Sequence, residues 1–460
     1  PSVRALIGGG DAVGANSGTL TINGNLTTGS STVTYSCFFG TITNTDNLTK
    51  DGTSAMALRG QGIFSGFNVT VTAGTLSVGA AAQSLPTATV LSVGTGGLFQ
   101  LDANSQTVGS LSGSGGINLG GGTLTIDQTA ATTFSGVIQN SELAGSSTSS
   151  GHGLRGYYYD NEDFTNLKAV RDDATVNFSD LTSASQLPAA VYPNTNQLTI
   201  RWLGQVLSTA TGTYTFSTRC DDGQRLWVNG TLLVDDWNTH GATTKSGAIA
   251  LAANTRYDIV MEYFNQTGPC SAQLLWTPPG DSSVIVPSDH LFLPGPGALV
   301  KAGAGTLTLT NANTYSGSTT VSGGTLEVQS DGGLGGGNAA VADGATLTLD
   351  SGATNGYMST AADLLLSGTS PLVNLNFTGT ENIHGLSYNG GTTYQAAGTY
   401  GATGSGATHQ DSRFSGTGIL NVTAGPSSVA LVSSGTPAVY GTTVTFTATV
   451  TGAAPTPRAH

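Results

Sequence analysis

The sequence has 460 residues, and charged residues make up 9% of it, against about 25% in an average globular domain. Its 67 glycines, with abundant Thr and Ser, favour strands and turns, and no amphipathic helical pattern stands out. The net charge of −13 argues against nucleic-acid binding, because the 14 Lys and Arg residues form no basic patch. No apolar run of about 18 residues occurs, so no membrane-spanning segment is predicted. We expect an all-β protein of about three domains.

Short phrases of alternating residues recur in both the first and the last third of the chain. Each phrase is Gly-Thr-Leu followed by alternating apolar and hydroxyl residues, bounded by glycine turns. The phrases begin at Ser17, Ala73, Gly121, Ala304, Gly323 and, with Ala in place of the second Gly, at Gly344. A single such strand cannot bury its apolar face alone. We therefore expect the strands to stack coil on coil, with a Leu/Val/Ile ladder inside and Thr and Ser outside.

These phrases carry a family resemblance. The stretch GAGTLTLTNANTYSGSTTVSGGTLEV, at residues 303–328, is similar to the autotransporter-associated β-strand repeat found in exported bacterial passenger proteins. The same group is resembled by residues 96–126, 134–139 and 397–422. The resemblance implies a right-handed parallel β-helix in two segments, residues 1–140 and 298–423, and it implies no particular activity.

A long insertion interrupts the repeats. In the resembled family, FSGVI usually runs within a few residues into a phrase such as KAGAGTLTL. Here residues 140–300 separate the two phrases. The intervening segment is therefore predicted to be inserted into one coil loop and displayed sideways from the solenoid.

The repeats offer little that could be catalytic. Parallel β-helices also include polysaccharide lyases and glycosidases, whose sites need clustered carboxylates, Arg or Lys on one face. The carboxylates of the repeats are scattered, at Asp102, Asp127, Glu327, Asp331, Asp343 and Asp350. Turn formation accounts for several of them, because Asp-Gly pairs are common in turns. No acid/base pair can be named, so we do not expect an enzyme.

The inserted segment is predicted to be an antiparallel β-sandwich. The sequence predicts strands at residues 198–203, 214–217, 226–228, 232–234, 257–263 and 274–276. Asn229-Gly230 lies between the third and fourth of these strands, and such a pair is a strong hairpin signal. The large aromatic residues fall in these patterns and are expected in the core: Trp202, Tyr214, Phe216, Trp227, Trp237 and Trp276.

Residues 150–296 resemble a protective-antigen-type module. The phrases that carry the resemblance occur in family order: GLRGYYYDNEDF, RDDATVNF, IRWLGQV, TYTFSTRCDDGQRLWVNGTLLVDDW, YDIVMEYFNQTG and VPSDHLF. Related modules are sugar-binding heads of fungal flocculins and adhesins, or accessory domains of bacterial glycosidases. In the lectins, an Asp-Asp pair joined by a cis peptide holds a calcium ion together with a later Asn. By motif position, the resemblance implies Asp221, Asp222 and Asn265 as calcium ligands, with Gln266 beside them in carbohydrate binding.

The chemistry of calcium suits this set of residues. Calcium takes about 6–8 oxygen ligands, so loop carbonyls and sugar hydroxyls could complete the coordination shell. Successive strand residues point to opposite faces, so two adjacent carboxylates converge only at a kink. The residues alone leave a second interpretation open, in which Asp221-Asp222-Gly223 is a tight polar turn. Asp235-Asp236 is interpreted as a strand-end turn. The loop histidines show no metal-ligand spacing: His152, His240, His290 and His384.

The three cysteines bear on the compartment. Cys220 and Cys270 both lie in the inserted segment, one directly before the acidic pair and one shortly after Asn265. Two cysteines in one module of an exported chain suggest a disulfide, with Cys37 as a lone thiol. We expect the Cys220–Cys270 bond to tie the two ligand loops together. The alternative is three buried thiols, because free Cys packs as a small hydrophobic residue.

The sequence after residue 426 changes character again. Val444, Phe446, Ala448 and Val450 alternate with Thr, and the stretch 426–460 resembles the first strands of a bacterial immunoglobulin-like domain. Only about a third of such a domain of about 100 residues is present. The chain also begins at Pro1 without a leader, so we expect a fragment of a larger exported protein.

The sequence as a whole predicts a calcium-dependent carbohydrate-binding lectin or adhesin on a β-helical stalk, located outside the cell or on its outer surface. Glycans or cell-surface polysaccharide are the expected partners. Two alternatives stay open. One is a non-catalytic accessory region of a secreted glycoside hydrolase or polysaccharide lyase. The other is a purely structural passenger in which the insert is a spacer.

Overall fold

The computed structural model describes residues 47–58, 68–79, 84–140, 152–368 and 372–424, apart from the single positions 103, 163, 184 and 194. Outside these ranges it gives only the backbone of a few short strands near the two ends. The described residues form strands and one three-residue 3-10 helix, which confirms the all-β prediction. No helix among them has the length and apolar character needed to cross a membrane.

Many short strands precede the insertion. They are β1 (Ser2–Val3), β2 (Thr19–Ile22), β3 (Leu26–Thr28), β4 (Tyr35–Phe38), β5 (Thr41–Asn44), β6 (Asn47–Lys50), β7 (Ala55–Leu58), β8 (Asn68–Val78), β9 (Val90–Gln100), β10 (Gln106–Val108), β11 (Ser110–Gly113), β12 (Gly116–Asn118), β13 (Thr123–Asp127), β14 (Thr132–Phe134) and β15 (Val137–Gln139).

Longer strands make up the inserted segment. They are β16 (Leu154–Tyr159), β17 (Leu167–Asp173), β18 (Asn177–Phe178), β19 (Leu198–Ser208), β20 (Gly212–Asp221), β21 (Gln224–Val228), β22 (Thr231–Asp236), β23 (Thr243–Leu251), β24 (Thr255–Asn265), β25 (Ser271–Thr277), β26 (Val284–Ile285) and β27 (Leu291–Phe292), with the 3-10 turn Ser288–His290 before the last.

Short strands then resume. They are β28 (Ala298–Ala302), β29 (Thr306–Leu309), β30 (Thr319–Val321), β31 (Thr325–Val328), β32 (Ala339–Val341), β33 (Thr346–Asp350), β34 (Asp363–Leu366), β35 (Leu372–Asn376), β36 (Thr380–Ile383), β37 (Gly385–Ser387), β38 (Gly398–Gly401), β39 (His409–Gln410), β40 (Phe414–Gly416), β41 (Ile419–Val422), β42 (Ser428–Ser433) and β43 (Phe446–Thr451).

The recurring phrases form parallel ladders. The Leu of each phrase pairs in register with the Leu or Val of the next coil, as Leu307, Leu326, Leu347 and Val373 show. All four side chains are buried, and the alternating Thr residues between them lie nearer the surface. This confirms the predicted apolar ladder inside a stack of coils. The stack follows from the period-two pattern, because alternate strand residues face opposite sides.

The ladders continue directly across the insertion. Strand β13, before it, pairs in parallel with β28, after it, from Thr123 opposite Ala298 to Asp127 opposite Ala302. Strand β14 pairs in the same way with β29. The strands on the two sides of the insertion therefore belong to the same parallel ladders, as an insertion into one coil loop requires.

The inserted segment is a sandwich of two antiparallel sheets. One sheet has the order β17-β16-β19-β24-β21-β22, with β27 beside β19; the other has the order β18-β25-β20-β23, with β26 beside β25. Their facing sides share one core that includes Trp202, Tyr214 and Trp276. Trp227 and Trp237 are also buried, in a second cluster on the outer face of the first sheet. All six aromatic residues named from the sequence are buried.

The hairpin predicted at Asn229-Gly230 is present. Asn229 and Gly230 both have positive φ, 49° and 71°, and join β21 to β22 as the hairpin signal predicted. The expected immunoglobulin-like start lies outside the described residues, except that the backbones of β42 and β43 pair antiparallel.

Candidate functional site

The acidic pair lies where the chain crosses from one sheet to the other. Strand β20, in the second sheet, ends at Asp221, and β21, in the first sheet, begins at Gln224. Asp222 and Gly223 make the crossing, and the peptide bond between Asp221 and Asp222 is cis. The pair therefore sits at one end of the sandwich, between the two sheets.

Asn265 lies beside Asp222. Gln224 on β21 pairs with Tyr263 on β24, so the same register continued by two residues places Asp222 opposite Asn265. The backbone N–H of Gln266 donates to Oδ2 of Asp222 at 2.9 Å. The structure thus brings together the residues that the family resemblance implied, although they are more than 40 positions apart in the chain.

The side chain of Asn265 is buried, and only one of its two polar atoms has a hydrogen-bond partner among the described residues. Its relative exposure is 0%, and its Nδ2 donates to the carbonyl oxygen of Thr195 at 2.7 Å. Within the described part of the chain, its Oδ1 has no hydrogen-bond partner. A buried acceptor left unpaired costs about 1–3 kcal/mol. An oxygen of this kind, next to a carboxylate, is suited to a hard cation.

The acidic pair has an unfavourable electrostatic environment. Burial raises the pKa of the Asp221 carboxyl above its usual value, and the neighbouring Asp222 charge raises it further. No group of three or more His, Cys, Asp or Glu side chains among the described residues could hold a metal. The oxygen set here instead consists of two carboxylates and one amide, which suits calcium better than a transition metal. The residues present therefore fit the implied ion.

The loop that contains His240 also meets Asp222. Oδ1 of Asp222 accepts a 2.8 Å hydrogen bond from the backbone N–H of His240. The imidazole Nε2 of His240 lies 3.1 Å from Oδ2 of Asp236, and Nζ of Lys245 lies 3.3 Å from the same oxygen. Sequence reasoning left His240 without a role, because its contribution is a backbone group, which leaves no sequence signal.

Gln266 begins an exposed loop of four residues, 266–269, next to the pair. Its backbone N–H is used by Asp222, and its backbone oxygen accepts from the N–H of Gln197 at 3.0 Å. The side chain of Gln266 is exposed to solvent. This is compatible with the carbohydrate contact that the resemblance implied for Gln266.

The expected disulfide is wrong for this structure. Cys220 and Cys270 are both free and buried. The reason is the strand register, since Cys220 pairs with Ala272 and Asp221 with Ser271, which leaves Cys270 two positions further along. Diagonal neighbours of this kind are about 7–8 Å apart at Cα, beyond the span of a disulfide. Burial raises the pKa of the Cys270 thiol to about 11. Cys37 lies outside the residues whose side chains are described.

The other acidic pairs have structural partners. Asp172 binds Arg155 at 2.8 Å, and Asp173 binds Arg171 at 2.6 Å. Asp235 binds Arg225 at 3.0 Å, and Asp235 and Asp236 are the last two paired residues of β22 instead of the expected turn. These carboxylates are neutralised by arginines, which distinguishes them from the Asp221–Asp222 pair.

Comparison with known families assigns the two parts of the chain separately. Residues 150–290 match the PA14 domain. Residues 48–78 and 299–328 match the Passenger-associated-transport-repeat. Both matches agree with the resemblances seen in the sequence.

Several proteins are similar to parts of the chain. The anti-sigma-I factor RsgI3 of Acetivibrio thermocellus is 40% identical over 144 residues, which are 31% of this chain and 21% of the relative. The adhesin BmaC autotransporter of Brucella suis biovar 1 is 37% identical over 126 residues, 27% of this chain and 4% of the relative. The protective antigen of Bacillus anthracis is 27% identical over 161 residues, 34% of this chain and 20% of the relative. The chain thus spans less than a quarter of the length of each relative.

Proposed function

We propose that the end of the sandwich at Asp221-Asp222 binds one calcium ion and, through that ion, a glycan. The observation that carries the proposal is the buried Oδ1 of Asn265, which has no hydrogen-bond partner among the described residues and belongs to the residue that the strand register places opposite Asp222. A cation accounts for that oxygen and for the placing of two carboxylates side by side. The match of residues 150–290 to the PA14 domain supports the same conclusion.

Each residue of the site has a separate role. Asp221, Asp222 and Asn265 would supply oxygens to the ion, while the N–H groups of His240 and Gln266 hold the Asp222 carboxylate in place. Bound calcium supplies open coordination positions that two neighbouring sugar hydroxyls can fill in place of water. The side chain of Gln266, on the exposed loop, can add a direct hydrogen bond to the sugar.

The position of the site favours contact with an outside partner. The connections to the solenoid meet β19 at its far end, where Phe292 pairs with Gln205, whereas Leu198 pairs with Asn265 at the site end. Seven residues of strand separate these points, or about 23 Å. The candidate site therefore lies at the end of the sandwich away from its covalent connections to the solenoid.

The solenoid is the proposed stalk. We take its parallel ladders to be the faces of a right-handed β-helix, the form implied by the repeat family. One similar protein is named as an autotransporter adhesin, which supports a place outside the cell or on its surface. Weak binding at each site would be offset by avidity when many stalks share one surface. Glycans or a surface polysaccharide are the proposed partners, and no catalytic step is part of the proposal.

Calorimetry with the full chain tests the metal. Calcium titrated into chelator-treated protein should bind once per chain, and the affinity should fall at least tenfold in both Asp222→Asn and Asn265→Leu. Asp281→Asn is the matched control, because Asp281 is exposed on the same module. Absence of uptake, or equal uptake by the control and both site variants, rejects the calcium site.

A glycan array then tests the partner. Wild-type chain should bind a subset of glycans in calcium, and a chelator should remove the signal. Signal that survives chelation would contradict recognition through the ion. Calcium uptake without any glycan signal would favour the spacer, and binding confined to one plant or microbial polysaccharide would favour an accessory role beside a degrading enzyme.

A further inference from the structure

A buried ion pair joins the sandwich to the solenoid at a point distant from their covalent connections. Nη1 of Arg201, on β19 of the sandwich, lies 3.3 Å from Oδ1 of Asp102, which follows β9 of the solenoid. Asp102 is 0% exposed and Arg201 2% exposed. The two residues are 99 positions apart in the chain.

The solenoid holds the Asp102 carboxylate in a fixed position. The hydroxyl of Ser77, one coil earlier, and the side-chain amide of Gln100 both donate to it. The φ of Asp102 is +46°, a conformation that Asp and Asn tolerate better than other side chains. Backbone preference alone would therefore accept Asn here, and the carboxylate is the feature that needs explanation. Its described cationic partner is Arg201.

The sandwich presents Arg201 from the outer face of its larger sheet. Nε of Arg201 donates to Oε1 of Glu262, its cross-strand partner, at 2.9 Å. The guanidinium also lies over the ring of Phe164, 4.4 Å from the centroid. Glu262 in turn faces Arg225 at 3.8 Å. This face carries buried charges and a buried aromatic cluster, which is unusual for the outside of an independent sandwich.

The location of the contact implies that the inserted sandwich lies against an earlier part of the solenoid. Residues 98–100 of β9 pair with β12, and β12 pairs with β15, after which the insert leaves the solenoid. Asp102 is thus two coils away from the exit, or about 10 Å. Arg201 is four residues of β19 away from Gln205, where the return connection pairs. The sandwich is consequently held at two separated points.

We propose that the outer face of the larger sheet is a docking surface for the Asp102 corner of the solenoid, so that sandwich and stalk form one rigid unit. The docking keeps the Asp221–Asp222 end in a fixed direction relative to the stalk. It replaces the sequence-based expectation of a module that simply projects sideways. This inference does not depend on calcium or glycan binding.

Tryptophan fluorescence of the full chain tests the docking. All four tryptophans lie in the sandwich, so their unfolding signal reports that part alone. Asp102→Asn keeps the backbone preference and removes a charge in the solenoid. It should lower the tryptophan-monitored unfolding midpoint by several degrees. Asp127→Asn, a substitution of an exposed solenoid carboxylate, should leave it unchanged.

A double-mutant cycle makes the test specific. In an Arg201→Met background, Asp102→Asn should shift the midpoint by less than half as much as in wild type. Equal shifts in both backgrounds, or no shift from Asp102→Asn alone, would overturn the proposal. If Arg201→Met does not fold, hydrogen exchange of β19 in Asp102→Asn decides the question. Faster exchange than in Asp127→Asn supports docking, and equal exchange rejects it.

Discussion

The backbone N–H of Gln266 donates a 2.9 Å hydrogen bond to Oδ2 of Asp222, which ties the loop after β24 to the crossing between the two sheets. The other oxygen of the same carboxylate accepts from the N–H of His240. Asp222 therefore fastens two loops even when no ion is bound. Its structural role and its proposed role as a ligand can be separated by experiment.

Asp222→Ala should destabilise the sandwich in the presence of a chelator. The change leaves two backbone N–H groups without their acceptor, at a cost of about 1–3 kcal/mol in the free energy of unfolding. Asp222→Asn should cost less, because the amide oxygen still accepts one bond. Thermal unfolding followed by tryptophan fluorescence gives the measurement, and Asp281→Ala is the control. A midpoint equal to wild type in Asp222→Ala would show that the loops are held by other contacts.

The parallel ladders of the repeats could be predicted from the sequence because their signals are local. Period-two alternation and glycine turns specify each strand, and the pairing of Leu307 with Leu326 follows once similar strands stack. The Asn229-Gly230 hairpin is equally local. Such features depend on neighbours within a few residues.

The site could be predicted only in part. Asp221, Asp222 and Asn265 were identified by family pattern, and the structure brings Asp222 and Asn265 together through strand register. The contribution of His240 is a backbone N–H, which no side-chain pattern reveals. The contact between Asp102 and Arg201 joins residues 99 positions apart in two different sheets, so neither local sequence indicates it.

The register between β20 and β25 also explains why the expected Cys220–Cys270 disulfide is absent. Cys220 pairs with Ala272 instead of Cys270, and both thiols are buried. Non-reduced protein should therefore release both Cys220 and Cys270 as free thiols in denaturant, while alkylation under native conditions should be slow. Mass spectrometry of peptides alkylated before and after unfolding measures this. A peptide pair linked through Cys220 and Cys270 would contradict the register described here.

Two buried lysines of the solenoid donate hydrogen bonds to backbone carbonyl oxygens in the same way. Nζ of Lys301 donates to the carbonyl oxygens of Ala302, Gly303 and Gly323, at 2.5, 2.9 and 3.1 Å. Lys50 makes three equivalent bonds in the N-terminal repeat. One ammonium thus satisfies carbonyls of two successive coils. This pattern indicates that Lys50 and Lys301 both have a structural role.

Lys301→Met should destabilise the solenoid by about 1–3 kcal/mol, because the side chain keeps its length but leaves the carbonyls unpaired. Circular dichroism at the strand band follows the unfolding of the whole chain. Lys168→Met is the control, since Lys168 is a half-buried residue of the sandwich paired with Asp160. Equal midpoints for the two variants would show that water or other groups replace the ammonium at little cost.

Glu381 should make the stability of the C-terminal coils depend on pH. Its side chain is almost wholly buried, and its oxygens accept from the N–H groups of Met358 at 2.8 Å and Tyr357 at 3.3 Å. Burial raises the pKa of this carboxyl from 4.5 to about 7, although the two hydrogen bonds oppose the shift. Because the folded pKa exceeds the unfolded one, the protonated group stabilises the fold fully below pH 4.5, and this contribution is lost as the pH rises through 7.

The contribution is at most about 3 kcal/mol, because each pKa unit corresponds to about 1.4 kcal/mol. Wild type should therefore lose stability relative to Glu381→Gln between pH 5 and pH 8, since the amide cannot ionise. Unfolding midpoints of both chains across that range give the difference directly. Glu327→Gln changes a half-exposed position in the same stack, so its unfolding midpoint should change with pH in the same way as that of wild type. If the difference between wild type and Glu381→Gln stays constant with pH, the carboxyl is ionised throughout, and its two N–H donors outweigh the cost of burial.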